Sequence, residues 1–161
     1  MKKKSCHHRH KEQKKELLAL LKHVGAIVLS DGESRLLTQE TNLIKAGKKV
    51  LKVWPKFVII KKGEHGAILM SEKGYFIIPV YPTEHVKDPT GAGDSFAGGM
   101  MGYLAKTRDT SLSNLKKAIV YRTVAASFNI EDFSLNRFQQ ITFEDIESRV
   151  REFEEMVRFW S

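Results

Sequence analysis

The sequence predicts an α/β protein, a three-layer α/β/α sandwich with a mainly parallel sheet. Short apolar runs alternate along the chain with stretches of helical periodicity, as when helices cover a parallel sheet. Phe57–Ile60 is apolar at every position and lies between helical patterns, which suits a parallel strand covered on both faces. A polar turn holding Gly91 and Gly93 runs straight into an alanine- and glycine-rich helix that starts at Ala92.

The elements follow from local chemistry. From about Lys14, the residues Leu17, Leu18, Leu20 and Leu21 form the apolar side of an amphipathic helix ending near Gly25. Ala26–Leu29 is a short buried strand. Ser30-Asp31-Gly32-Glu33 opens the next helix, ahead of the apolar pair Leu36 and Leu37. Ser-x-x-Glu in that setting is a capping box, with the Glu33 carboxylate reaching back to the Ser30 amide. Asn42–Val53 is a further helix, stopped by Pro55. The turn Lys61-Lys62-Gly63-Glu64-His65-Gly66 then lies at the carboxyl end of a strand, where open α/β sheets bind ligands. Ala67–Met70 and Tyr75–Val80 pair as a hairpin around Glu72-Lys73-Gly74.

In the helix from Ala92, the residues Gly98, Gly99 and Gly102 each cost about 1 kcal/mol relative to alanine. Such a sequence makes sense if that helix lies close against another backbone. Ser113–Asn129 is apolar nearly all round and therefore largely buried. Arg122 falls inside its apolar arc, with Asn129 two turns further along nearly the same line, so the guanidinium must find an anion or reach water. Thr142 and Asp145 repeat the capping-box pattern before a charged final helix that runs through Met156.

A chain of 161 residues, 42% of them apolar, suits one domain with a real core. The single cysteine, Cys6, excludes an intrachain disulfide and fits a reducing compartment. No apolar run reaches the length of a membrane span, and no apolar signal core follows the basic start. A soluble, cytoplasmic protein without a membrane partner is expected. The net charge of +8 is uneven, because residues 1–16 carry seven Lys and Arg against Glu12 and Glu16, a local +5. A nucleic-acid partner would rest on that tail, with no recognisable binding module behind it. Cys6, His7, His8 and His10 lack the separated ligand pairs of a structural zinc site. Residues 1–13 read as a basic polar tail and 14–161 as the folded part.

The chemistry concentrates in Asp88-Pro89-Thr90-Gly91-Ala92-Gly93-Asp94-Ser95-Phe96-Ala97-Gly98-Gly99. Gly91 and Gly93 allow backbone conformations closed to other residues and let a ligand come close. The first turn of the following helix has amide hydrogens without intrahelical partners, and the helix dipole adds about half a positive charge there. That is an anion site. Asp94 stands in the same turn, placed to take a proton from a hydroxyl while the amides hold a phosphate, the requirements of phosphoryl transfer to an alcohol. No Gly-Lys-Ser/Thr follows, so this is not a Walker A loop, and Phe96 stands where a dinucleotide fingerprint has its third glycine.

The whole string closely resembles the carboxyl-terminal signature of the ribokinase-like (PfkB) carbohydrate and nucleoside kinases. The resemblance implies that Gly91, Ala92 and Gly93 build the anion hole for the transferred phosphoryl and that Asp94 is the catalytic base. It implies ATP and Mg²⁺ as cofactors, with a monovalent cation near the signature turn in many members. By the same resemblance Glu33 helps to position magnesium, usually through water, although Ser30 stands where the family usually has Asn. The capping and the metal role of Glu33 do not exclude each other. Lys61 and Gly63 are the matching nucleotide-phosphate contacts, with a solvated turn as the other reading. Adenine would lie against the helix near Asn129, and family members generally have a small residue at the position of Arg122.

The resemblance runs from about Leu17 to the final helix but covers only the carboxyl-terminal half of a family member. The half that supplies most sugar-binding groups and the lid has no counterpart in this sequence. The expectation is therefore the nucleotide-binding half of a ribokinase-like kinase, acting on a sugar or nucleoside. Its partner would be a missing amino-terminal half or a second copy of itself. The alternative is a catalytically incompetent nucleotide- or partner-binding fragment.

Overall fold

The computed structural model describes residues 16–159 apart from 18, 54, 88–91, 133–136 and 138–139, and of residues 92–97 the backbone only. The chain divides into two compact units. The first runs to Gly63 and takes in Ala67–Ile77; the second takes Glu64–Gly66 and everything from Ile78 on.

The first unit is built on a sheet of four strands in the order β1-β2-β3-β4: β1 Ala26–Ser30, β2 Phe57–Lys61, β3 Ala67–Ser71 and β4 Gly74–Ile78. β1 and β2 are parallel, with Leu29 beside Ile60 and Ser30 beside Lys61. β2 and β3 are antiparallel, with Ile59 beside Leu69. The apolar run expected for a doubly covered strand is one, since Val58, Ile59 and Ile60 are all fully buried. Helix α1 spans Asp31–Thr38 and α2 spans Leu43–Leu51. The α2 amino terminus is capped by Asn42, whose Oδ1 accepts from the Ile44 and Lys45 amides at 3.0 Å each. Leu29, Leu37, Val50, Val58, Ile60 and Met70 form one continuous apolar cluster with Leu21. Gly47 in α2 is a close approach: a Cβ there would collide with the thioether of the fully buried Met70.

The second unit is helical, with α3 at Ala92–Thr107, α4 at Leu112–Ile130 and α5 at Phe143–Val157. Ser111 caps α4, its hydroxyl accepting from the Asn114 amide. Thr142 and Asp145 form the expected capping box on α5, the Thr142 amide donating to the Asp145 carboxylate at 2.7 Å. α4 is the most buried helix of the chain among the described residues, with Leu115, Ala118, Ile119, Val124 and Phe128 inside. Met100 of α3 and Val150 and Phe153 of α5 are also buried. Among the described residues no helix is long and apolar enough to cross a membrane.

Candidate functional site

In the first unit the parallel pairing brings two of the sequence-predicted residues together. β1 and β2 end side by side at Ser30 and Lys61, and α1 starts one residue after β1 ends. Glu33, in the first turn of α1, therefore stands beside Lys61. The capping box is closed in both directions: the Ser30 amide donates to Glu33 Oε2 at 2.7 Å, and the Glu33 amide donates to Ser30 Oγ at 3.1 Å. The Ser30 amide holds the Glu33 carboxyl below its ordinary value near 4.5, with smaller help from the Ser30 hydroxyl and the Lys61 charge. Glu33 stays ionised and exposed, which suits contact with magnesium through water, the manner in which that ion is usually held. Gly63 follows Lys61 closely and has φ +57°, a left-handed conformation that favours glycine, with open space where a side chain would be. Backbone can approach a ligand there.

In the second unit the antiparallel packing of α3 on α4 sets the geometry. Asn114 Nδ2 donates to Thr107 Oγ1 at 2.8 Å, the rings of Tyr103 and Tyr121 stack 5.4 Å apart, and the Arg122 guanidinium lies on Gly99. Residue numbers fall along α3 as they rise along α4. Carried on at about 1.5 Å per residue, this register sets Asn129 level with residues 92–95, the first turn of α3. Asn129 is 2% exposed, and among the described residues its Oδ1 is a buried side-chain oxygen without a hydrogen-bond partner. A buried amide oxygen in that state has room for a further donor.

Ala92, Gly93 and Asp94 occupy the first turn of α3, as the sequence predicts; their side chains lie outside the described residues, as does the whole of Gly91. The expectation for the helix glycines needs correction. Only Gly99 among them is a close approach, and it meets the side chain of Arg122 rather than a backbone; Gly98 and Gly102 face open space. Arg122 does not simply reach into solvent. It is half-buried over Gly99, and desolvation lowers its pKa. The predicted site residues thus form two groups, Glu33, Lys61 and Gly63 in one unit and Ala92–Asp94 with Asn129 in the other. Among the described residues no three His, Cys, Asp or Glu side chains cluster as a metal centre. Sequence reasoning missed an ionic cluster around Arg149 and Glu131, whose members are far apart in the chain.

A strand–helix unit with acidic and basic residues at the carboxyl ends of two parallel strands, together with the helix that Ala92 opens, is an α/β arrangement. Solved structures agree. The chain superposes on the aminoimidazole riboside kinase of Salmonella enterica with a TM-score of 0.74 at 21% identity, covering 87% of this chain and 46% of that one. On the fructokinase of Vibrio cholerae O395 the TM-score is 0.75 at 16% identity, covering 87% and 45%. In sequence, residues 5–139 match the pfkB family of carbohydrate kinases, and the chain belongs to that family. It is 32% identical over 117 residues to the bifunctional ribokinase/ribose-5-phosphate isomerase A of Fructilactobacillus sanfranciscensis, covering 70% of this chain and 21% of that protein. It is 32% identical over 111 residues to the adenosine kinase of Saccharomyces cerevisiae, covering 62% and 33%. The chain therefore spans a third or less of the length of these two relatives and just under half of the solved ones.

Proposed function

We propose that this chain carries the ATP site and catalytic base of a kinase that phosphorylates a hydroxyl group of a sugar or nucleoside. The observation that supports it best is Asn129: a buried acceptor without a partner among the described residues, level with the helix turn that holds Gly93 and Asp94. An adenine amino group is a donor of the kind Asn129 Oδ1 lacks. Lys61 and the open backbone at Gly63 serve nucleotide phosphates, and Glu33 holds magnesium through water. Magnesium, when bound, neutralises charge on the phosphate oxygens. The amides of the glycine turn stabilise the transferred phosphoryl, and Asp94 accepts the proton of the attacking hydroxyl as its oxygen bonds to phosphorus and ADP leaves. The basic tail of residues 1–13 takes no part, and residues 14–161 are the working body.

A second reading, a nucleotide-binding fragment without turnover, is favoured by one observation, the 46% share of a solved relative that the chain covers. The missing share would include the lid, whose closure excludes water and completes the site. The test is to titrate the purified chain with MgATP and then assay phosphorylation of ribose, fructose, adenosine and cytidine. Weak ATP binding with little or no turnover is the expected result for the chain by itself. Turnover restored by a co-expressed amino-terminal half would establish the first reading, binding without any turnover in that assembly the second. No ATP binding in either form overturns both.

A further inference from the structure

Tyr81–Lys87 has no regular structure and is mostly exposed, yet it delivers the chain to Asp88, where the signature begins. It is held to the last turn of α4 and to α5. Tyr81 Oη donates to Glu152 at 2.9 Å and Thr83 Oγ1 to Glu131 at 3.3 Å. The Lys87 amide donates to the Ile130 carbonyl at 2.8 Å, and Lys87 Nζ lies 3.3 Å from Asp132. Arg149 stands at the centre of these contacts. Its Nη1 donates to Glu131 Oε1 at 2.7 Å and to Ser127 Oγ at 2.9 Å, while Nη2 donates to Glu131 Oε2 at 3.4 Å. The guanidinium carbon lies 3.5 Å from the centroid of the Phe128 ring and 4.9 Å from that of Tyr81. With side-chain exposures of 17% for Arg149 and 12% for Glu131, the pair is largely withdrawn from water.

A forked guanidinium stacked on aromatic rings fixes direction as well as charge, which a lysine at that place would not. Without it, the Glu131 carboxylate would keep Arg137, 3.6 Å away, as its charged partner among the described residues, and would turn from Thr83 toward it or toward water. Thr83 would lose its acceptor and Tyr81 its stacking partner. We infer that Arg149 is a positioning residue: through Glu131 and Tyr81 it fixes the segment from which the signature turn starts. The inference rests on the kinase reading for its purpose, but not for its geometry.

Single-residue amide exchange by NMR on the full chain tests it, comparing Arg149→Met and the nearly isosteric Thr83→Val with the unaltered protein. The informative amide is Lys87, which bonds Ile130 and touches neither altered side chain. It should exchange about tenfold faster in Arg149→Met and several-fold faster in Thr83→Val, as local opening becomes easier, while amides of β1–β3 keep their rates. ATP affinity should fall in parallel. Unchanged exchange at Lys87, or equal acceleration throughout α4 and α5, would reduce Arg149 to a general stabiliser and overturn the inference. Faster exchange with full ATP affinity would overturn it too. If Arg149→Met fails to fold, Thr83→Val decides by the same criteria. An unaltered chain that binds no ATP would sink the kinase reading instead, leaving the exchange result to judge Arg149 on its geometry.

Discussion

β2 in the first unit and α4 in the second both run through the interior, and they use burial differently. β2 buries Val58, Ile59 and Ile60 completely and contributes nothing polar to the interior from those positions. α4 buries Leu115, Ile119 and Phe128, but also Asn114, Thr123, Ser127 and Asn129. Asn114 and Ser127 are matched: Asn114 Nδ2 donates to Thr107 and to the Asp109 carbonyl, and Ser127 Oγ donates to the Val124 carbonyl and accepts from Arg149. Among the described residues, Asn129 Oδ1 is not. The stretch Val58–Ile60, without a polar side chain, can only hold a shape. α4 buries polar groups as well as apolar ones, and those of Asn114 and Ser127 tie it to α3 and α5.

The largest effect that would sharpen this contrast is chemical. In a catalytically complete assembly, Asp94→Asn should lower turnover by about 10²–10⁴-fold, the usual range for a general base, while nucleotide affinity stays near that of the unaltered protein. Steady-state kinetics beside an ATP titration check it, and full turnover would remove Asp94 from its assigned role. Ile60→Ala should do the reverse. It leaves a cavity in the first unit and should cost about 2–5 kcal/mol of stability in a urea titration. Turnover per folded molecule should change little; a loss of the size expected for Asp94→Asn would mean that the Val58–Ile60 stretch does more than hold shape.

The smallest effect belongs to the box at the start of α1. Ser30→Ala should cost about 1 kcal/mol, the usual loss for a capping hydroxyl. Its acid dependence has a definite sign. The Glu33 carboxyl is lowered on folding, so its stabilisation is complete above its ordinary value near 4.5 and is lost as pH falls through the lower folded value. Glu33→Gln, which removes the titrating group, should flatten that part of the stability profile. A profile unchanged in shape would mean the box does not hold in solution.

Much of the scaffold was legible in the sequence because it is local. Ser30 and Glu33 are three residues apart, as are Thr142 and Asp145, and both boxes close as the spacing requires. β2 announced itself by uninterrupted apolar residues. The hairpin and the helix from Ala92 also fall where periodicity puts them. Non-local chemistry was not legible. Tyr81, Glu131 and Arg149 meet across long stretches of chain, and no pattern in any one window relates them. Gly99 signalled a close approach but could not say that the neighbour would be a guanidinium. Gln39 ends α1 in a left-handed conformation, φ 62°, at a place where no glycine marks the stop. Of the candidate site, spacing places Ala92–Asp94 in the first turn of α3, whereas the level of Asn129 depends on how two helices pair.

The burial of the methionines has a practical consequence. Met70 and Met100 are sealed inside different units, at 0% and 1% exposure, whereas Met101 and Met156 stand 60% and 50% in solvent. A mild peroxide should therefore convert Met101 and Met156 to sulfoxides at once and reach the other two only when their surroundings open. Met70, wedged against Gly47, has no room for the added oxygen while the first unit is closed. Each interior thioether is thus a clock for its own unit. Reading their oxidation rates by mass spectrometry separates the breathing of the sheet from that of the helices within one sample.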